Sequence, residues 1–177
     1  MYTIASLLDT KTDEMVRNIW AFLEQKCLLK GIQMTPLPHI SWQAAEDYDI
    51  DAVEEEIKNL ALTQKAFRAR ATGLGIFCGF KPVLYLALVR SERLSELHDI
   101  LWKRLGFYGT SHAYYDSDYW VPHITLANRD VNGQNLSCAI EELTGQLLDF
   151  DMEISSLAIL YDIQGKTGVK SIYKFNG

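Results

Sequence analysis

Trp120-Val121-Pro122-His123-Ile124-Thr125-Leu126 is a short apolar run with β-branched residues, in which a histidine and a hydroxyl stand two positions apart. It reads as a β-strand with a proline at its opening, where a missing N–H removes no ladder bond. Side chains i and i+2 of a strand share a face, so His123 and Thr125 point the same way. The pattern recurs upstream in Leu37-Pro38-His39-Ile40-Ser41-Trp42, where His39 and Ser41 share a face. The chain holds four prolines and four histidines, and random placement would yield about 0.1 Pro-His pairs, a check on chance matches. Two occur, each followed by Ile and a hydroxyl residue. One histidine in an apolar strand reads as a hydrogen-bonded core residue; two in matched surroundings read as a working pair.

The rest of the chain repeats around these strands. Residues 2–8 predict a strand, and Thr10-Lys11-Thr12-Asp13 resembles a capping box. Met15, Val16, Ile19, Trp20, Leu23 and Cys27 then recur at helical spacing up to Gly31. After the first motif strand (37–43) come a helix from Asp49 to Lys65 and a strand over 67–77. A turn at Gly79-Phe80-Lys81-Pro82 leads to a strand over 83–89, a helix capped by Ser91 and a tyrosine-rich loop over 109–119. The second motif strand follows, then a turn at Asn132-Gly133, a helix through Leu147, one long strand from Asp149 to Tyr161 and a last strand from Val169 to Phe175. Strand, helix, motif strand, helix, strand thus occurs twice, at an offset of about 80–85 residues. The expectation is an α+β fold of two pseudo-symmetric lobes, repeat units 2–77 and 83–161 of a single domain spanning 1–177. Its antiparallel-rich sheets would line a central cleft, with helices packed outside. Such a pairing sets the two motif strands on opposite walls of one cleft.

Composition narrows the function classes. The 177 residues carry a net charge of −6, which argues against long nucleic acid held through many phosphates but permits a nucleotide or an RNA end. No apolar run approaches the ~20 residues of a membrane span, and the N-terminus reads as a strand, not a leader. Cys27, Cys78 and Cys138 form no CxxC pair. They are expected to be three buried, reduced thiols, which suggests the cytoplasm. A monomer is expected.

The pair of motifs suits phosphodiester chemistry. In-line displacement at phosphorus needs a base for the incoming oxygen and an acid for the leaving one, on opposite sides. Histidine serves either role near neutral pH. Ser41 and Thr125 can donate to the non-bridging oxygens. The carboxylates show no ligand pattern, so no metal is expected, and Glu54-Glu55-Glu56 reads as a solvated helix face.

Two His-x-(Ser/Thr) motifs about 80 residues apart in a duplicated α+β chain resemble the two-histidine (2H) phosphoesterase superfamily. Within it the resemblance is to the RNA 2′,3′-cyclic phosphodiesterases, also called 2′-5′ RNA ligases, and it covers essentially the whole chain. It implies metal-independent hydrolysis of 2′,3′-cyclic phosphates to 2′-phosphates, with reversible 2′-5′ ligation in some members and no cofactor. It also implies His39 and His123 as the acid/base pair and Ser41 and Thr125 as phosphate contacts. The sequence departs from the family behind each motif. Arg129 stands one position later than the usual basic residue, and Trp42-Gln43-Ala44-Ala45-Glu46 replaces an apolar-then-glycine run. These departures and the acidic charge point to a small nucleotide substrate. A non-catalytic nucleotide or RNA-end binding module with the same cleft is the alternative.

Further candidates are less specific. Trp42, Tyr114, Tyr115, Tyr119 and Trp120 could stack on a base, or pack the lobe junction. Arg129, Lys81, Lys166 and Lys170 are candidate phosphate contacts. His112 is a candidate lid residue, and His98 is expected at a helix edge. Gly73-Leu74-Gly75 reads as a strand bend rather than a dinucleotide loop.

Overall fold

The computed structural model describes residues 1–34 and 36–176, apart from the Met34 side chain. The chain order is β1 (Tyr2–Leu7), α1 (Thr10–Cys27), β2 (His39–Ala45), α2 (Ile50–Thr63), β3 (Phe67–Phe77), β4 (Val83–Leu88), α3 (Glu92–Leu105), β5 (His123–Ala127), α4 (Gly133–Thr144), β6 (Asp149–Ile154), β7 (Ser156–Ile163) and β8 (Lys166–Lys174). The eight strands form one antiparallel sheet in the order β6-β3-β4-β5-β2-β1-β7-β8. The fold is α+β, as expected, but the two sheets are fused. β2 and β5 meet at the centre through the partners Ile40 and Ile124. That narrow junction joins two four-stranded halves.

The halves are not contiguous in sequence. β3, which follows α2 in the chain, pairs with β4 and β6 in the second half. The expected single strand over 149–161 is two, broken between Ile154 and Ser156. β6 pairs with β3, whereas β7 pairs with β1 and β8. The break is where the chain passes from one half to the other, a change that period-2 patterning does not mark.

Local chemistry sets the helix ends. Asp9, not the Thr10 box, caps α1 by accepting from the Thr12 N–H, and Leu28 ends the helix in the left-handed region. Ser91 caps α3 as expected. Asn132 is no turn residue but the N-cap of α4, in a reciprocal pair with Asn135. The β7–β8 hairpin turns on Gln164 and Gly165, both at positive φ, the geometry of a two-residue hairpin loop. Gly73, at φ 112°, sits in the irregular stretch of β3 between Ala71 and Leu74, the bend read from the sequence.

The main core lies between the helices and the sheet face carrying Ile4, Ile40, Trp42, Leu86, Ile124 and Ile159. Ala5, Ala158 and Leu160, with Leu7, Leu37 and Val169 against them, make a second, smaller cluster. Cys27 and Cys138 form a disulfide between α1 and α4, while Cys78 is exposed. This corrects the expectation of three buried thiols and removes the argument that led from them to the cytoplasm. Cysteines 111 positions apart show no pairing signal in sequence; only helix packing brings them together. Among the described residues, no helix is long and apolar enough to cross a membrane.

Candidate active site

Strand alternation places Ile40 and Ile124 in the core, both fully buried, and turns their neighbours to the opposite face. Because Ile40 and Ile124 are antiparallel partners, the register sets His39 across from Thr125 and Ser41 across from His123. Each histidine therefore faces the other motif's hydroxyl. Both strands carry an irregularity at the same place. Opposite β1, the Trp42 position is skipped between Gln43 and Ser41; opposite β4, Leu126 is skipped between Ala127 and Thr125. Bulges of this kind re-aim side chains beside functional sites.

The two imidazoles share one backbone contact. His39 Nδ1 is 2.5 Å from the Leu37 carbonyl, and His123 Nδ1 is 2.7 Å from the Val121 carbonyl. A carbonyl only accepts, so each Nδ1 carries the hydrogen and each Nε2 is left for chemistry. The prolines acquire a reason here: Pro38 and Pro122 hold the preceding residue extended, and that residue supplies the carbonyl.

The hydroxyl residues are also held alike. The Trp120 indole N–H donates to the Ser41 carbonyl, and the Trp20 indole N–H donates to the Thr125 carbonyl, each at 3.1 Å. Strands joined at one partner pair leave carbonyls without ladder bonds, and these two indoles satisfy two of them.

A cleft of about 530 Å³ opens on this face, walled in part by Ser41, His123 and Thr125. Tyr114, Tyr115, Tyr119 and Trp120 line one side, Phe77 and Val83 another, with Val121 and Asn128 completing the wall. His39 is not in that wall; it lies on the same face, across from Thr125. Burial lowers the pKa of both histidines below the ordinary 6.5, against the raising effect of the carbonyl bonds, and charge on His39 lowers His123 further. Burial raises the Tyr115 phenol, which the Ser41 side chain meets, so it stays protonated.

Other expected residues fall elsewhere. Trp42 is fully buried, bonded to Ser6 Oγ at 2.9 Å and stacked on Trp120. It cannot touch a substrate, for the same period-2 reason that turns His39 and Ser41 to the opposite face of the sheet. Arg129 sits at φ 69° and pairs with Asp162 at 3.4 Å, outside the cleft wall. Lys170 is committed to Glu54, which it holds down to a pKa of about 2. In the Glu54-Glu55-Glu56 run Glu55 is exposed and the other two are partly exposed, and Glu55 pairs with Lys58 and Glu56 with Arg104. His98 is not at a helix edge but buried, stacked on Trp120 at 4.1 Å. His112 is exposed and stacks on Tyr114 of the cleft wall.

Phe77, Val83, Val121 and Asn128 were not anticipated from sequence. The first two flank the β3–β4 turn, and only the crossing of β3 into the second half brings them to the cleft. The matched proline-flanked motifs already contained a signal for the carbonyl clamps, and none for Trp20.

Known proteins bear on this arrangement. A family model described as the 2′-5′ RNA ligase superfamily matches residues 13–166. The solved structure of TT0787 of Thermus thermophilus superposes with a TM-score of 0.65 at 16% identity, covering 99% of this chain and 98% of that one. A structure described as a phosphoesterase gives 0.62 at 12% identity, over 99% and 98% of the two chains. Usb1 of Kluyveromyces marxianus gives 0.54 at 12% identity, over 95% of each. No curated protein shows a significant sequence match.

Proposed function

The chain belongs to the 2′-5′ RNA ligase superfamily, within the 2H phosphoesterases, and on that premise we propose that it hydrolyses a 2′,3′-cyclic phosphodiester, on a nucleotide or an RNA end, to a 2′-phosphate. The observation that carries this reading is the matched pair of imidazoles. Each has its Nδ1 clamped by the carbonyl two residues back and a hydroxyl of the other strand beside it.

The chemistry follows from those atoms. Neutral Nε2 of one histidine takes a proton from water as the water oxygen attacks phosphorus. Protonated Nε2 of the other gives its proton to the departing 3′ oxygen, leaving the phosphate on the 2′ oxygen. Ser41 and Thr125 hydroxyls donate to the non-bridging oxygens as negative charge grows. The same displacement, with a 5′-hydroxyl attacking phosphorus in place of water and the 3′ oxygen leaving, would form a 2′-5′ linkage. No step calls for a metal ion. The cleft volume suits a nucleotide, and its aromatic side suits a base. Both histidines come from one chain, so a monomer suffices.

The test is a substrate panel offered in the presence of chelator: 2′,3′-cyclic nucleotides, RNA with a 2′,3′-cyclic end, and 2′-5′-linked RNA. Turnover that falls by roughly 10²–10⁴ in His39→Ala and in His123→Ala is expected. Failure to turn over any of these, or turnover indifferent to both substitutions, overturns the reading. Binding of a 2′-phosphonucleotide without turnover would favour the binding module instead.

A further inference from the structure

The two halves of the site differ in one respect. Across the β4–β5 pairing, Tyr85 stands opposite Thr125 and Ala87 opposite His123. Across the β1–β2 pairing, the equivalent positions are Ala5 opposite Ser41 and Leu7 opposite His39. A tyrosine on one side thus matches an alanine on the other. The ring reaches His123: the Tyr85 and His123 centroids are 5.1 Å apart. Phe77 closes the group, 4.3 Å from Tyr85 and set edge-on to His123 at 4.9 Å. Among the described residues, His39 makes no such ring contact.

Gly75 makes room for this arrangement. It is the direct partner of Tyr85 across β3–β4, and a Cβ at Gly75 would lie 2.3 Å from two carbons of the Tyr85 ring. Its φ lies outside the left-handed region, so the backbone would accept alanine; the tyrosine ring would not.

We propose that Tyr85, laid across Gly75 and backed by Phe77, is a positioning residue that fixes the rotation of the His123 imidazole and shields it from water, so that the two histidines are held by different means. This rests on the reading of His123 as an acid/base group. Carbonyl clamping alone sets one ring nitrogen; ring packing on the faces and edge removes the remaining freedom, which is what a near-attack geometry requires. It also adds to the burial that lowers the His123 pKa.

The experiment compares Tyr85→Phe, Tyr85→Ala, Gly75→Ala and the Gly75→Ala/Tyr85→Ala double variant. Two readouts are taken: turnover of a 2′,3′-cyclic nucleotide, and NMR titration of the His123 ring, which needs no activity. Tyr85→Phe should behave as wild type in both. Tyr85→Ala and Gly75→Ala should each lose roughly 10- to 100-fold in kcat with little change in KM, and the His123 pKa should rise towards the ordinary value. In the double variant the Gly75 substitution should add nothing, because the ring it displaces is gone. Should Gly75→Ala fail to fold, the Tyr85→Phe and Tyr85→Ala pair decides. A Tyr85→Ala protein with unchanged His123 titration, or losses that add in the double variant, would overturn the proposal. If no cyclic phosphodiester is turned over at all, the functional reading fails, and the titration still decides whether Tyr85 holds the ring.

Discussion

Trp20 and Trp120 make the same bond at the two ends of one site. Trp20 donates its indole N–H to the Thr125 carbonyl and Trp120 donates its own to the Ser41 carbonyl, both at 3.1 Å. One comes from a helix and the other from the segment that enters β5, so the likeness is one of physical need. Two strands touching at Ile40 and Ile124 alone need donors from outside the sheet for the carbonyls beside the junction.

Trp20→Phe and Trp120→Phe should therefore each destabilise the fold by about 1–3 kcal/mol, the range for leaving a buried carbonyl without its donor. Denaturant unfolding measures this. Both variants should also lose activity, because the bond they remove steadies the strand that carries the hydroxyl.

The pH profile of kcat/KM should be bell-shaped, since one histidine must be neutral and the other protonated. Burial lowers both pKa values below 6.5. The midpoint between the limbs, read from initial rates across pH, should therefore lie below 6.5. A profile centred above pH 7 would contradict the burial of the rings.

His98 should make the fold acid-sensitive. Burial holds its pKa down to about 4, Asp99 nearby acting in the opposite sense and Arg90 in the same one. The unfolded chain takes up the proton near pH 6.5, and the folded chain does not until near pH 4. The associated stability is therefore fully present above pH 6.5 and lost as pH falls towards 4. Over the whole window it amounts to about 3 kcal/mol. Comparing wild type with His98→Gln in urea at pH 7.5 and pH 5 covers part of that window, and the two pH dependences should differ by about 2 kcal/mol.

The disulfide joins residues 111 positions apart. Its loss in Cys27→Ser/Cys138→Ser, or on reduction, should cost about 2–5 kcal/mol. Alkylation of the folded, unreduced protein followed by mass spectrometry should label Cys78, the exposed free thiol, and leave the other two unmodified.

Much of the site was legible in sequence because strand alternation is local. Period 2 put His39 with Ser41 and His123 with Thr125, and it also placed Trp42 on the opposite face, a consequence that the reading of Trp42 as a substrate contact overlooked. The helices and their faces followed from the 3.6-residue recurrence of apolar side chains.

The amino-acid sequence by itself determined the α+β elements, the doubled motif and the four residues at its centre, since these depend on neighbours within a few positions. Tertiary structure alone decided which strands share a half, that Cys27 meets Cys138, that Trp20 completes the Thr125 carbonyl, and that Tyr85 lies against His123. Those relations join residues far apart in the chain, and they are settled by packing at close quarters: the room above Gly75 and the single partner pair at Ile40 and Ile124. No local propensity encodes such a distance.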